Sequence, residues 1–213
     1  MNNYIKKIII VFCVSASIGI LTVIIIDSMY YAPTDEVTLP ESIESKITRR
    51  APAPTVSEPI FQKPKAIFTP RLTIPTIGVN AKIQDVGISR KGNMSTPNNF
   101  FDVGLYKYGP LPGDRGSAVI DGHVDNGFGF KAVFGNLKNI KIGDEVYVEM
   151  NQGVKIRFTV VSTQVLDYNA DASSVFAEDS GDYLKLITCT GTWMPEFRTH
   201  DKRLIVTTVR SDL

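Results

Sequence analysis

The hydrophobic pattern changes character twice along the chain. Residues 8–26 form an unbroken apolar run without a charged side chain. Residues 28–70 show no apolar periodicity and are rich in proline and charge. From Arg71 onward, apolar and polar positions alternate in short segments separated by Gly, Pro and Asn, which is typical of β-strands. The pattern therefore predicts three regions, 1–27, 28–70 and 71–213.

Seven segments of the third region have the alternation or the β-branched content of strands. They are 71–75, 81–88, 117–124, 145–150, 154–168, 183–189 and 203–210. Two short segments, 131–137 and 172–178, have weak helical patterns. Closely spaced strands joined by turn residues favour an antiparallel barrel or sandwich with only a few helical turns.

The apolar run 8–26 predicts a membrane-spanning helix. Its 19 residues would rise about 28 Å, close to the hydrocarbon thickness of a bilayer. Lys6 and Lys7 before the run and Asp27 after it favour an N-terminus inside and the rest of the chain outside. A cleaved signal peptide is the alternative, but its apolar core is usually shorter and ends at a small-x-small site. We therefore expect an uncleaved signal-anchor.

Composition supports the same division. Seven of the twelve prolines lie between Pro33 and Pro70, a stretch without glycine, whereas 15 of the 16 glycines lie after it. We interpret 28–70 as a semi-extended spacer and 71–213 as one domain large enough for its own core. The net charge of +1 gives no electrostatic argument for a nucleic-acid partner.

The predicted exported domain contains a single cysteine, Cys189, at the end of a predicted strand. The other cysteine, Cys13, lies in the predicted membrane segment, so the two cannot pair within one chain. A lone thiol outside the cell is then a packed hydrophobe, a metal ligand or a nucleophile. Zinc would combine Cys189 with His123 and with Asp121 or Asp125, but no ligand spacing typical of zinc sites is present.

Two further side chains favour a nucleophile. His123 lies where a predicted strand meets a glycine-containing loop, and Arg203 opens the last predicted strand. A hairpin between the last two strands would place Arg203 beside Cys189. A thiol and an imidazole can share a proton near neutral pH, and a guanidinium can donate to a developing oxyanion. Arg198 and His200 compete for these roles, but they lie in the predicted loop 190–202, where nothing fixes their direction.

The chain resembles the sortases, cysteine transpeptidases of Gram-positive cell surfaces, in its order of anchor, spacer, β-rich domain, Gly-His, Thr-Cys and strand-opening Arg. The segment L-I-T-C ending at Cys189 stands at the family signature T-L-x-T-C, with Lys185 in place of its first Thr. His123 in D-G-H-V-D matches the family histidine, and Arg203 in K-R-L-I-V matches the family arginine. The similarity covers about residues 70–210, and its details look most like class F sortases.

The resemblance implies a closed eight-stranded β-barrel with one or two short helices, preceded by the transmembrane helix. It implies cleavage of an LPxTG-like sorting signal between Thr and Gly. Cys189 would form a thioacyl intermediate, His123 would act as acid and then base, and Arg203 would hold the oxyanion or the substrate backbone. Thr188 is expected to contribute to the substrate groove. Asp121 departs from the family, which more usually has a small residue before Gly-His.

The implied partners are surface proteins that carry the sorting signal, and an acceptor amine from cell-wall peptide or from lysine. The membrane is a partner through residues 8–26, which would place the catalytic domain on the extracellular face of a Gram-positive bacterium. No cofactor and no metal site is implied; some family members use calcium, but no dense carboxylate cluster demands it here.

Two alternative functions stay open at this stage. One is another exported cysteine acyltransferase of the L,D-transpeptidase kind, although its S-H-G-C motif is missing from the sequence. The other is a non-enzymatic surface binding domain in which Cys189 is merely packed. We expect Trp193, Phe128 and Phe130 to pack against the domain rather than to line a substrate groove.

Overall fold

The computed structural model describes residues 68–151, 153–177 and 181–211. The predicted anchor, 8–26, and nearly all of the predicted spacer lie outside these residues, so both stay predictions. Across the ranges that are described, no helix is long and apolar enough to cross a membrane.

Eight strands account for most of the described chain. They are β1 (Arg71–Ile74), β2 (Val79–Val86), β3 (Val103–Tyr106), β4 (Gly116–Asp121), β5 (Glu145–Asn151), β6 (Val154–Asp167), β7 (Asp182–Met194) and β8 (Thr199–Arg210). The strands close into a barrel in the order β1-β2-β3-β4-β7-β8-β6-β5, with β5 paired to β1. The only α-helix within the described residues, α1 (Ser173–Phe176), lies between β6 and β7, and the 3-10 turns are Pro75–Ile77 and Leu137–Asn139.

Alternating side chains fill the inside of the barrel. Every strand contributes residues to one apolar cluster, because positions i and i+2 of a strand face the same side of the sheet. Its fully buried members include Leu72, Ile74, Val103, Leu105, Ile120, Leu137, Val146, Phe158, Leu184, Leu186 and Val206. The interior is therefore a packed core, as expected for a barrel of eight strands.

A second apolar cluster lies on the outer face of the same barrel. Val119 of β4 and Ile205 of β8 are buried against Val175 of α1. Their neighbours in each strand point into the barrel, so this cluster is on the opposite side of the sheet. The connection between β6 and β7 thus covers part of the outer surface of β4, β7 and β8.

The predicted eight-stranded barrel is confirmed, but two details of the strand pattern were wrong. The pairs β2–β3 and β4–β7 are parallel, because long crossover connections separate their strands in the sequence. β3 was not predicted, since four residues that include Gly104 give too short a pattern. The predicted helix 131–137 forms turns that lead into the 3-10 turn Leu137–Asn139, whereas 172–178 does contain α1.

β7 and β8 are also longer than predicted. Together they include most of the predicted loop 190–202, which leaves only a short turn between Met194 and Thr199. The pairing shifts between Thr190 and Trp193, where Gly191 has φ of 83°. This is a β-bulge with glycine in the left-handed region, a device that bends and twists a hairpin.

Candidate active site

The register of three neighbouring strands brings the predicted residues to one end of the barrel. Cys189 on β7 is paired directly with Arg203 on β8. β4 runs parallel to β7, and their last pair is Asp121 with Ile187. His123 follows Asp121 at the same spacing at which Cys189 follows Ile187. The candidate nucleophile, base and cation therefore occupy adjacent ends of β4, β7 and β8.

Gly122 fixes the point at which the chain leaves β4. A Cβ at Gly122 would lie 2.7 Å from Cδ2 of Phe134 and 2.9 Å from Cγ1 of Val133, closer than carbon atoms pack. Its carbonyl accepts a hydrogen bond of 2.7 Å from Oγ1 of Thr188. Gly122, directly before His123, is thus hydrogen-bonded to Thr188, directly before Cys189.

Thr188 itself is buried and faces the barrel interior. Its hydroxyl is engaged with Gly122, as described above, but the residue also borders the cleft beside Cys189. The described contacts give Thr188 a part in holding β4 and β7 together. Its predicted contribution to the substrate groove stays a prediction.

His123 is half-buried beside the connection from β2 to β3. Its Nε2 lies 3.2 Å from the carbonyl oxygen of Pro97, and its ring centroid is 5.1 Å from that of Phe100. Burial lowers the pKa of the His123 imidazole below 6.5, and the Pro97 contact and the charge of Asp125 oppose that shift. The imidazole is therefore mostly neutral at pH 7.

Cys189 is the one free thiol of the described residues and is half-buried. Burial raises the pKa of the Cys189 thiol above its ordinary value, and the charges of Asp121 and Asp125 raise it further. The Arg203 guanidinium and a hydrogen bond from the Thr199 side chain lower it. Since burial is the largest cause, the thiol also rests in its neutral form near pH 7.

Arg203 folds back along β8 instead of extending into solvent. Its Nη1 donates to the carbonyl oxygens of His200 and Lys202 at 3.0 and 2.9 Å. Its Nη2 donates to Oγ1 of Thr199 at 2.8 Å. Three of the five guanidinium N–H groups thus have partners among the described residues, and the guanidinium is held beside Cys189.

A polar cleft of about 170 Å³ opens beside the thiol. Cys189, Asp125, Lys138 and His200 contribute to its lining. His200 is buried, and its Nε2 lies 3.3 Å from Oδ2 of Asp125. Trp193 packs edge-on against the His200 ring with centroids 5.3 Å apart. The expectation that nothing fixes His200 was wrong, because β8 begins at Thr199 and includes it.

Asp121 is half-buried, and one of its two carboxyl oxygens is enclosed in an apolar setting. Its Oδ1 is inaccessible to solvent and has no hydrogen-bond partner among the described residues. The side chain lies over Gly104 of β3, where a Cβ would come within 2.7 Å of Oδ1 and 2.8 Å of Cγ1 of Val86. Burial raises the pKa of Asp121 well above its ordinary value. Gly104 therefore provides the space that this unusual side chain needs.

The other predicted candidates have different surroundings. Phe128 and Phe130 are 53% and 63% exposed, so the expectation that they pack was wrong. Oδ1 of Asn126 accepts hydrogen bonds from the backbone N–H groups of Phe128 and Phe130. These bonds shape the loop, so it does not depend on packing of the two aromatic rings. Trp193 is half exposed despite its contact with His200. Arg198 is exposed in the β7–β8 turn, with φ of 51°.

No group of three or more His, Cys, Asp or Glu side chains in the described ranges could hold a metal ion. Asp121 turns its Oδ1 toward Gly104 rather than toward a shared centre. Asp125 contacts His200 instead. The zinc alternative built on Cys189, His123 and either aspartate thus has no support in the geometry.

A barrel with a thiol, an imidazole and a guanidinium at adjacent strand ends defines a cysteine acyltransferase of this architecture. Residues 72–211 match the sortase domain model, and the chain therefore belongs to the sortase family. It is a cysteine transpeptidase, which removes the non-enzymatic binding domain as an alternative. Membership of the sortase family removes the L,D-transpeptidase alternative. The comparison with curated proteins finds no match.

Solved structures agree with this assignment. The chain is similar to sortase A from Corynebacterium diphtheriae, lid mutant, with 26% identity, a TM-score of 0.54, and 68% of this chain and 70% of that chain covered. The chain is also similar to the Group B Streptococcus Pilus Island 1 sortase C2, with 27% identity and a TM-score of 0.52. That match covers 67% of this chain and 73% of the other. Sortase C-1 from Actinomyces oris shares the fold, with 24% identity and a TM-score of 0.53. That match covers 68% of this chain and 74% of the other. These relatives are named as sortases A and C.

Proposed function

We propose that this transpeptidase cleaves an LPxTG-like sorting signal between Thr and Gly and transfers the Thr carbonyl to an amine on the cell wall. The observation that carries the proposal is the pairing of Cys189 with Arg203, with His123 directly after the end of the adjacent strand β4. A nucleophile, a proton carrier and an oxyanion donor are the three groups that acyl transfer requires.

In the acylation step, the Cys189 sulfur attacks the carbonyl carbon of the signal Thr. The proton of the thiol passes to His123, and the carbonyl oxygen becomes an oxyanion beside Arg203. The remaining N–H groups of the guanidinium donate to that oxygen or to the substrate backbone. The C–N bond to Gly then breaks, His123 returns the proton to the departing amine, and a thioester remains on Cys189.

In the transfer step, an acceptor amine attacks the thioester carbonyl. His123 removes a proton from the amine as the new C–N bond forms, and the Cys189 sulfur leaves and recovers its proton. The acceptor is an amine of cell-wall peptide or of lysine.

Half-buried apolar side chains support an apolar signal. Leu166 of β6, Ala172 and Phe176 at α1, and Ile187 of β7 pack around the outer cluster. Ile187 lies two residues before Cys189, so both are on the same face of β7. The Leu and Pro of an LPxTG-like signal are apolar and would bury surface there, at about 25 cal/mol for each Å² removed from water.

The apolar run 8–26 supports a single-pass anchor with the N-terminus inside. We propose that it tethers the domain to the extracellular face of a Gram-positive cell, where exported substrates arrive and where a tethered enzyme gains effective concentration. The G-H-V-D motif that contains His123 supports a class F assignment.

We also propose that the reaction needs no cofactor, because thiol, imidazole and guanidinium already supply the required chemistry. Cleavage by EDTA-treated enzyme should equal that of the untreated enzyme. A rate that rises when calcium is added back would overturn this part of the proposal.

The decisive test is cleavage of a quenched fluorescent LPxTG-type peptide, with mass spectrometry of the enzyme. The wild-type enzyme should cleave the substrate peptide. Mass spectrometry should then find an acyl adduct on the enzyme fragment that contains Cys189. Cys189→Ala should lose both cleavage and adduct. Full activity of Cys189→Ala would contradict the proposed mechanism.

A further inference from the structure

Thr199 occupies a position that the proposed chemistry does not yet use. It is the first residue of β8 and pairs with Met194, just beyond the bulge at Gly191. Its Oγ1 accepts the hydrogen bond of 2.8 Å from Nη2 of Arg203. The Thr199 side chain also lowers the pKa of the Cys189 thiol, as a hydrogen-bond donor to the sulfur does. The hydroxyl thus bonds the guanidinium of the residue that pairs directly with Cys189 on the adjacent strand.

The chemistry of a hydroxyl suits a position between a guanidinium and a thiol. A Thr hydroxyl has one hydrogen to donate and lone pairs to accept with. Because the Arg203 guanidinium can only donate, Thr199 must accept from it. The hydroxyl hydrogen is then available for the Cys189 sulfur. A hydroxyl that accepts a hydrogen bond from a cation is polarised, so its own hydrogen becomes a stronger donor toward a thiolate.

We propose that Thr199 is a positioning residue that links the Arg203 guanidinium to the Cys189 sulfur and stabilises the thiolate from which acylation begins. This inference rests on the proposed function of Cys189 and Arg203. It also explains why the guanidinium turns back along β8, since Thr199 and two backbone carbonyls hold it there.

The expected effect follows from the protonation states. Burial keeps the thiol neutral and the imidazole neutral, so the reactive thiolate–imidazolium form is a small fraction of the enzyme. Loss of the Thr199 hydroxyl should raise the pKa of the Cys189 thiol and make that fraction smaller. Other charged or titratable groups act on the same sulfur and stay in place in the variant. They are Arg203, Asp121 and Asp125, with His200 and Lys138 on the shared cleft.

The test compares Thr199→Val with Thr199→Ser in the full-length chain carrying Cys13→Ser, so that Cys189 is the only thiol. Valine keeps the branched shape and removes the hydroxyl, whereas serine keeps the hydroxyl. The first readout is the rate of Cys189 alkylation by iodoacetamide from pH 5 to pH 10. The second is kcat and KM for peptide cleavage.

Thr199→Val should move the alkylation curve to higher pH by about one pH unit. It should also lower kcat roughly tenfold to a hundredfold, which is the range for losing a hydrogen bond to a charged group. KM should change little, and Thr199→Ser should restore both readouts. Thr192→Val is the matched control, because Thr192 lies on the same hairpin and is exposed. It should behave like the wild type.

Three outcomes distinguish the hypotheses. If Thr199→Val gives the wild-type alkylation curve while Cys189→Ala is inactive, the positioning role is wrong and the proposed function stands. If Cys189→Ala still cleaves the peptide, the proposed function is wrong. If Thr199→Val lowers thermal stability and Thr199→Ser does not restore the alkylation curve, the role of Thr199 is structural only. Thr199→Ala repeats the test without a β-branched side chain, in case valine disturbs folding.

Discussion

Cys189 and His123 illustrate how burial sets protonation at the scale of single residues. The thiol loses hydration as a thiolate and the imidazole loses hydration as a cation, so both neutral forms are favoured. The thiolate–imidazolium pair, which is the reactive form in the proposed mechanism, then has a constant small population between the two pKa values. Below the lower value the ion pair gains a proton, and above the higher value it loses one.

The first prediction is a bell-shaped pH dependence of kcat/KM for peptide cleavage. Because the pKa of His123 is lowered from 6.5 and that of Cys189 is raised from 9.0, the acid limb should lie below 6.5 and the alkaline limb above 9.0. Initial rates in buffers of constant ionic strength from pH 4 to pH 11 measure both limbs. An acid limb above 6.5 or an alkaline limb below 9.0 would contradict these two shifts in pKa.

The second prediction concerns Arg203→Lys. A lysine nitrogen cannot contact two backbone carbonyls and the Thr199 hydroxyl while also presenting a planar donor pair to an oxyanion. kcat should fall roughly 10²- to 10³-fold, as when one oxyanion donor is removed, and KM should change less. Arg210→Lys, at the opposite end of β8, is the control and should retain activity. An equal loss in both variants would argue against a catalytic role for Arg203.

The third prediction concerns Asp121→Asn. The native carboxyl keeps its proton to higher pH than in the unfolded chain, where Asp titrates near 3.9. The native state then binds more protons, so the free energy of unfolding falls as pH rises from about 4 toward the raised pKa of Asp121. Urea unfolding at pH 5 and pH 8 should show this fall in the wild type and a smaller fall in Asp121→Asn.

Asp114→Asn is the control for that experiment, because Asp114 is exposed. Its unfolding curves should keep the pH dependence of the wild type. If Asp121→Asn keeps that pH dependence too, burial of the carboxyl does not govern the stability in this range.

At the scale of elements, two contacts hold the ends of β4 and β7 together. Thr188 donates to the carbonyl of Gly122, and the Gly122 N–H donates to the carbonyl of Ile187 at 3.1 Å. Phe134 packs against the face of Gly122 where a side chain would be. The position of His123 relative to Cys189 is therefore a property of the β4–β7 pair, and not of the loop alone.

The fourth prediction concerns Gly122→Ala. The added methyl group would meet Phe134 at 2.7 Å and Val133 at 2.9 Å, so those side chains or β4 must move. The free energy of unfolding should fall by roughly 1–3 kcal/mol, as in other overpacked cores, and kcat should fall because His123 is displaced. Thermal unfolding and peptide cleavage measure the two effects. Gly127→Ala, where nothing lies within 4 Å, should change neither.

The candidate site was easier to predict than the strand pairing that forms it. Cys189, His123 and Arg203 were visible because each ends or opens a regular apolar segment. The parallel pairing of β4 with β7 was not visible, because it depends on which strands become neighbours after a long crossover. Thr199 was missed because the bulge at Gly191 extends β8 backward, and a local pattern does not show that extension.

At the scale of the whole molecule, the sheet closes on itself and encloses one core. β1 pairs with β5, so the sheet has no free edge at its seam, and the apolar cluster includes residues from every strand. The shape of the barrel, and with it the relative position of β4, β7 and β8, depends on all eight strands. A substitution far from Cys189 can therefore weaken the site by loosening the barrel.

The fifth prediction is that residues 68–213 fold and cleave peptide without the preceding segments. The fragment should unfold in one cooperative transition, as expected for a single core of this size, and kcat should match that of the full-length chain. Circular dichroism and fluorescence melts should coincide. Separate transitions for the two probes, or a fragment that aggregates, would show that the N-terminal segments contribute to the fold.

The bulge at Gly191 and the short turn between Met194 and Thr199 have a consequence for enzyme engineering. Cys189 and Arg203 are paired on the barrel side of the bulge, and the turn lies beyond it. We therefore expect that residues 195–198 can be exchanged or lengthened while the pairing of Cys189 with Arg203 is preserved. Grafts that keep Thr199 would retain its hydrogen bond to Arg203. Loops from related transpeptidases could then be screened for altered specificity while Cys189 and Arg203 stay unchanged.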